Sequence, residues 1–160
     1  MPGTFSVPAR RPRSWPPPRS IGISAKSPST PLVTTSAPTP DGPPQNVDYW
    51  QIVTEGYFET MQIKIVAGRA FEAADAASPS VVINETMAEV FWPDQNPLGR
   101  RVRPIGSDIP WFTIVGIAKD VKQAGLEEET GTESYFYYPV LAAAGFAPRS
   151  MYIVMRSSLP

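Results

Sequence analysis

Ser80-Val81-Val82-Ile83-Asn84-Glu85-Thr86-Met87-Ala88-Glu89-Val90-Phe91-Trp92-Pro93 decides the fold class. Its first four residues are compact, and Val81, Val82 and Ile83 are β-branched, which predicts a strand over 80–83. Asn84 then stands where a helix N-cap belongs, and Glu85 falls in the first turn, where the helix dipole favours an acid. Met87 and Phe91 lie at i and i+4, one inward face of a helix over 85–92. Pro93 stops it. A strand that runs straight into a short capped helix is the pattern of an α+β domain.

Outward from this stretch the same signs repeat. Val47, Tyr49 and Gln51 alternate with Trp50 and Ile52, predicting a strand over 47–53. Thr54 fits as the N-cap of a helix over 55–61, with Val53 and Phe58 at the two positions of a hydrophobic staple. A short strand over 63–67 closes at Gly68. Residues 69–79 read as a polar, Ala-rich loop anchored by Phe71. On the C-terminal side, Asn96-Pro97-Leu98-Gly99 is a turn. Strands follow over 100–105, 111–118, 133–139 and 151–156, the second of these the richest in β-branched and aromatic residues. The expected fold is α+β, a mixed, strand-dominated sheet with two short helices.

Residues 1–46 have another character. They hold 12 of the 20 prolines, with Arg10, Arg11, Arg13, Arg19 and Lys26 against a single acid, Asp41. Such a segment buries too little apolar surface to offset its ordering entropy, which predicts disorder. Ile21-Gly22-Ile23 and Leu32-Val33-Thr34-Thr35 are its hints of a strand. The expected organisation is a disordered Pro/Ser/Arg-rich segment over 1–46 and a folded domain over 47–160. The latter carries nine basic and fourteen acidic residues, a net charge of −5.

Composition excludes much chemistry. The 160 residues include no histidine and no cysteine. Ser-His-Asp triads, cysteine nucleophiles, cysteine-rich zinc sites and imidazole acid–base work are therefore absent. No apolar run reaches the length of about 18 residues needed to span a bilayer, and no secretory leader pattern opens the sequence.

The remaining candidates each have a plain structural reading. Glu127-Glu128-Glu129, with Glu133 nearby, is an acidic run that suggests a cation site; consecutive acids in one loop more often face water. Asp120 with Lys119 and Lys122 suggests an acid–base group, or a strand end in solvent. Glu85 and Glu89 share one helix face, unlike a glycosidase pair drawn from separate elements. Arg100, Arg101 and Arg103 with Trp111 suggest a stacking platform for nucleic acid or oligosaccharide, against which the acidic net charge argues. Tyr135, Phe136, Tyr137 and Tyr138 read as alternating core and rim residues, with an exposed aromatic suited to an interface. No catalytic, cofactor-binding or metal-ligating residue is assigned.

Five blocks in order resemble the MacB-like periplasmic core domain. They are Val53-Thr54-Glu55-Gly56-Tyr57-Phe58-Glu59-Thr60-Met61 with Gly68-Arg69 and Phe71; Val81-Val82-Ile83-Asn84-Glu85-Thr86-Met87-Ala88 with Phe91-Trp92-Pro93; Asn96-Pro97-Leu98-Gly99-Arg100-Arg101-Val102; Phe112-Thr113-Ile114-Val115-Gly116-Ile117-Ala118-Lys119-Asp120-Val121; and Tyr135-Phe136-Tyr137-Tyr138-Pro139. The likeness is greatest to the duplicated orphan branch of ABC-type, FtsX-like permeases and covers about 47–156. It implies a non-catalytic extracytoplasmic domain that needs no cofactor and passes motion from a cytoplasmic ATPase, through the permease's transmembrane helices, to a substrate or an extracytoplasmic protein partner. No nucleic acid is expected. Because the likeness begins near residue 47, the sequence reads as a partial domain, from a truncated or frameshifted gene or as a soluble relic, with sheet edges left unpaired.

Overall fold

A computed structural model of the chain describes residues 20–27, 32–35, 45–104, 110–122, 130–146, 148 and 150–157. Its strands are β1 (Ser20–Ser27), β2 (Leu32–Thr35), β3 (Gln45–Asn46), β4 (Tyr49–Val53), β5 (Ile65–Gly68), β6 (Ser80–Asn84), β7 (Arg101–Pro104), β8 (Phe112–Ala118), β9 (Glu133–Tyr137) and β10 (Tyr152–Arg156). Three short helices accompany them: α1 (Tyr57–Met61), α2 (Glu85–Phe91) and α3 (Tyr138–Ala143). The strands form one mixed sheet in the order β10-β1-β4-β9-β6-β8-β7-β2-β3. The β4/β9 and β6/β8 pairs are parallel and the others antiparallel. β5 also pairs with β8, alongside its last three residues, while β7 pairs with its first two. The class is α+β and strand-dominated.

The helix at 85 forms as its sequence dictates. Asn84 is extended, and its side chain accepts the Met87 N–H. Met87 and Phe91 are buried. The first helix starts later than its cap signal suggests. Gly56, at φ 77°, takes the N-cap position, and α1 begins at Tyr57. The left-handed conformation there suits glycine and turns the chain before Thr54 can cap it. Val53 and Phe58 are nonetheless both buried. The loop over 69–79 contains a 3₁₀ turn, Ala73–Ala76, closed by reciprocal Glu72–Asp75 bonds. The strand expected over 133–139 ends at Tyr137, and α3 follows with Pro139 in its first turn, a position that proline favours.

Three strands lie inside the segment expected to be disordered. β1 and β2 fall on the two strand hints there, and β3 ends the segment. β1 is held on both sides: Ser24–Ser27 pair with 50–53 of β4, and Ser20–Ser24 pair with 152–156 of β10. Two ladders offset an ordering cost that composition alone says the segment cannot meet. The rest of 1–46 lies outside the described residues.

An aromatic core covers each face of the central strands. Tyr57, Phe58 and Phe71 gather on Tyr135 and Tyr137, with Phe71 stacked on Tyr137 at 5.1 Å. Phe136 points the other way, edge-on to Trp50 at 6.0 Å and to Phe112 at 4.8 Å. Tyr135, Phe136 and Tyr137 are therefore all buried, where alternating core and rim residues were expected. β9 runs between β4 and β6 and is covered on both sides, so it has no rim face. Each fully buried aromatic of this kind contributes about 1.5–3 kcal/mol over an exposed one.

Candidate functional site

The polar side chains gather at one end of the sheet, where β4, β8, β9 and α2 meet. Asn84 is the hub. Its Oδ1 accepts the Met87 N–H at 3.0 Å and the Glu133 N–H at 2.8 Å, and its Nδ2 donates to the Gly131 carbonyl at 2.8 Å. One side chain thus caps α2 and fixes the entry to β9. Beside it, Asp48 Oδ2 accepts the Thr132 N–H and hydroxyl at 2.8 and 2.9 Å, while the Asp48 N–H donates back to Thr132 Oγ1 at 3.0 Å. This joins the starts of β4 and β9. At the far side Asp120 accepts the Thr86 N–H and hydroxyl at 3.1 and 2.8 Å. Glu85 in turn accepts from Lys119 Nζ at 2.7 Å. The end of β8 is thereby held to the first turn of α2, with the Lys119 pKa raised by its bond to Glu85.

A second network is buried under α1. Glu133, 1% exposed, accepts Gln51 Nε2 at 2.6 Å on Oε1 and the Tyr135 hydroxyl at 2.8 Å on Oε2. The Tyr57 hydroxyl donates to Gln51 Oε1 at 3.0 Å. The parallel register sets Gln51 beside Tyr135, on the face that Glu133 shares by the two-residue period of β9. Burial and then the Glu133 carboxylate push the Tyr135 phenol pKa far up. Tyr137, on the same face, donates to Glu55 at 2.6 Å; burial first, then that bond, raise its pKa too. A buried carboxylate is tolerable only when its lone pairs are filled in this way.

The residues singled out by sequence fall apart as a chemical constellation. Asp120 and Lys119 are engaged in the clasp on α2. Glu85 and Glu89 both face Lys119, as a polar helix surface does. Arg100 turns back to the Asn96 carbonyl and Gln95, away from the other two arginines. Arg101 and Arg103 instead lie 5.8 and 4.9 Å from the Trp111 ring centre. The indole on which a base or sugar would stack already carries the chain's own guanidinium groups. Glu127, Glu128 and Glu129 lie outside the described residues, and Glu133 is a core residue. Among the described residues no three His, Cys, Asp or Glu side chains are grouped to hold a metal ion, and no helix is long and apolar enough to cross a membrane.

The arrangement ties the ends of β4, β6, β8 and β9 to one another and to α2 with short, directed bonds. Gln51, Asp48 and Thr132 carried no local signal, because the bonds between β4 and β9 depend on sheet pairing; Tyr57 meets Gln51, six residues back, across the turn into α1.

Comparison with known proteins finds a family and a fold. A family model described as MacB-like periplasmic core domain matches residues 4–158. The match starts far before residue 47, so the N-terminal stretch is part of it. The extracellular domain of the noncanonic ABC-type transporter YknZ from Gram-positive bacteria superposes with a TM-score of 0.63 at 17% identity, over 89% of this chain and 66% of that one. The periplasmic region of MacB from Actinobacillus actinomycetemcomitans gives 0.63 at 16% identity, over 88% of this chain and 59% of that one. The chain thus spans about three-fifths to two-thirds of these solved domains. No curated protein matches it in sequence.

Proposed function

Since the chain belongs to the family of MacB-like periplasmic core domains, we propose that it serves an ABC-type permease on the outer side of the cell membrane as a non-catalytic coupling domain. The observation that carries this reading is the family match over residues 4–158. Its natural neighbours are then permease transmembrane helices and a cytoplasmic ATPase, with a substrate or protein partner outside. The bonded end of the sheet suits the role. Asp120, Asn84 and Asp48 bond β8 and α2 to β4 and β9, a continuous chain of contacts that supports transmission of a displacement between them.

The test uses the chain in its own host. Digestion by a protease added to spheroplasts, together with no ATP turnover by the purified chain, is the expected result. Protection until the cells are lysed, or measurable ATP turnover, would overturn the proposal.

A further inference from the structure

β10 is the outermost strand beyond β1, and among the described residues nothing pairs with its far edge. Its side chains are unusually bare for apolar residues: Tyr152 is 66% exposed, Ile153 68% and Met155 67%. Edge strands are normally blunted by lysine, proline or a bulge; 151–155 reads Met-Tyr-Ile-Val-Met and has none of these. Arg156 Nε donates to the Thr60 carbonyl at 3.1 Å, so Tyr152, Val154 and Arg156 share the α1 side. Ile153 and Met155 then occupy the opposite face. An open groove of about 440 Å³ runs along the strand's edge, bordered by Thr60 and Met61 and by residues of both strand faces, Val154 and Met155 among them.

We propose that β10 pairs antiparallel with β10 of a second copy, about a twofold axis through Val154. The strand is complementary to itself in that register. Ile153 falls opposite the partner's Met155, an apolar pair on the bare face repeated by symmetry. Tyr152 falls opposite the partner's Arg156, a ring beside a guanidinium. The strand's only charge is Arg156, and the two copies of it sit at opposite ends of the ladder, roughly 13 Å apart, beyond the screening length. The contact is isologous and closes on itself. Pairing with the opposite sheet edge would instead build filaments, and β3 there offers only Gln45–Asn46 as a template. Two five-residue strands with their side chains bury on the order of 1,000 Å² in total, the lower end of specific interfaces, so the dimer is weak and reversible.

Sedimentation equilibrium of the full chain between about 5 and about 500 μM tests it. The expected result is a monomer–dimer equilibrium in which Ile153→Lys raises the dissociation constant by about tenfold or more, since it sets an ammonium against the partner's Met155. The double substitution Ile153→Lys with Met155→Glu restores dimerisation to within about threefold, because opposite charges then face each other across the axis. Both positions are exposed, and circular dichroism confirms that the variants fold. Amide exchange on the unsubstituted chain is a second readout, with protection at 152–156 that rises with protein concentration. A monomer throughout, open-ended oligomers, indifference to Ile153→Lys, no recovery in the double variant, or exchange independent of concentration each overturns the proposal.

Discussion

Asn84 accepts the backbone N–H of Glu133 at 2.8 Å with the same oxygen that caps α2 through Met87. The first turn of α2 and the start of β9, 49 residues beyond Asn84, therefore share one acceptor. Asn84→Ala removes the cap, which alone costs about 1 kcal/mol. It also leaves the Glu133 N–H and the Gly131 carbonyl without their partner, adding about 1–3 kcal/mol. The expected loss is about 2–4 kcal/mol in urea unfolding, seen as a lower midpoint at unchanged slope. Asn84→Asp keeps the Oδ1 acceptor but sets a second acceptor against the Gly131 carbonyl in a fully buried site, so it too is expected to destabilise.

Asp75 is held by a bidentate bond from Arg69, at 2.7 and 2.8 Å, and by the Ser80 hydroxyl at 2.7 Å. The Arg69 bond is the main cause that lowers its pKa from 3.8 to about 2. A carboxyl whose folded pKa is depressed adds stability that is present above its unfolded pKa and lost as pH falls through the folded one. Stability is expected to drop between about pH 4 and pH 2 by at most about 2 kcal/mol from this group, less because Arg69 is partly solvated. Asp75→Asn flattens that part of the pH profile and lowers stability at pH 7. An unaltered slope between pH 4 and pH 2 in the variant contradicts the assignment.

Tyr135 and Tyr137 have raised pKa values, both chiefly from burial. Their phenols stay protonated where exposed tyrosines ionise, near pH 10. In an alkaline titration followed by phenolate absorbance, Tyr135 and Tyr137 are expected to ionise only with unfolding. The sign follows from linkage: their contribution is intact below the unfolded pKa and declines as pH climbs beyond it. Tyr135→Phe strips one donor from the buried Glu133 carboxylate and costs about 1–3 kcal/mol by thermal or urea unfolding.

Gly68 and Gly116 face each other across β5 and β8. A Cβ at Gly116 would meet the Arg69 carbonyl oxygen at 2.1 Å, and one at Gly68, where φ is +69°, the Val115 oxygen at 2.2 Å. Gly116→Ala must push two strands apart and is expected to cost about 3 kcal/mol or more. Gly99→Ala is the control, since φ is +81° but no atom lies within 4 Å of its Cβ position. Only backbone strain remains there, about 1 kcal/mol. Equal losses in the two variants would refute the close-approach argument.

Local signals were readable wherever a residue's partner lies within one turn or one strand. Asn84, Glu85, Met87 and Phe91 specify α2 through contacts three or four residues away, and they form it as expected. Thr54 was misleading because Gly56 competes for the same cap with a conformation only glycine takes cheaply. α3 was missed although Pro139 marks a helix start, because the aromatic run before it continued the strand pattern. The buried network of Gln51, Tyr57, Glu133 and Tyr135 was invisible for a different reason. Its central bond spans 82 residues and depends on the parallel register of β4 with β9. No spacing in the sequence encodes that register. β1 and β2 were legible only as hints, since what orders them lies on strands elsewhere in the chain.

The place of β1 also governs the timing of assembly. Ser20 pairs with Arg156, so the ladder on the outer side of β1 waits for a strand made long after β4. During synthesis β1 can acquire the β4 ladder early, but its other side stays open until residue 156 has cleared the ribosome. Contacts of such sequence separation slow folding. Between the synthesis of β4 and that of β10 the nascent chain carries an unfilled slot beside β1, which invites strands from other chains or the attention of a chaperone.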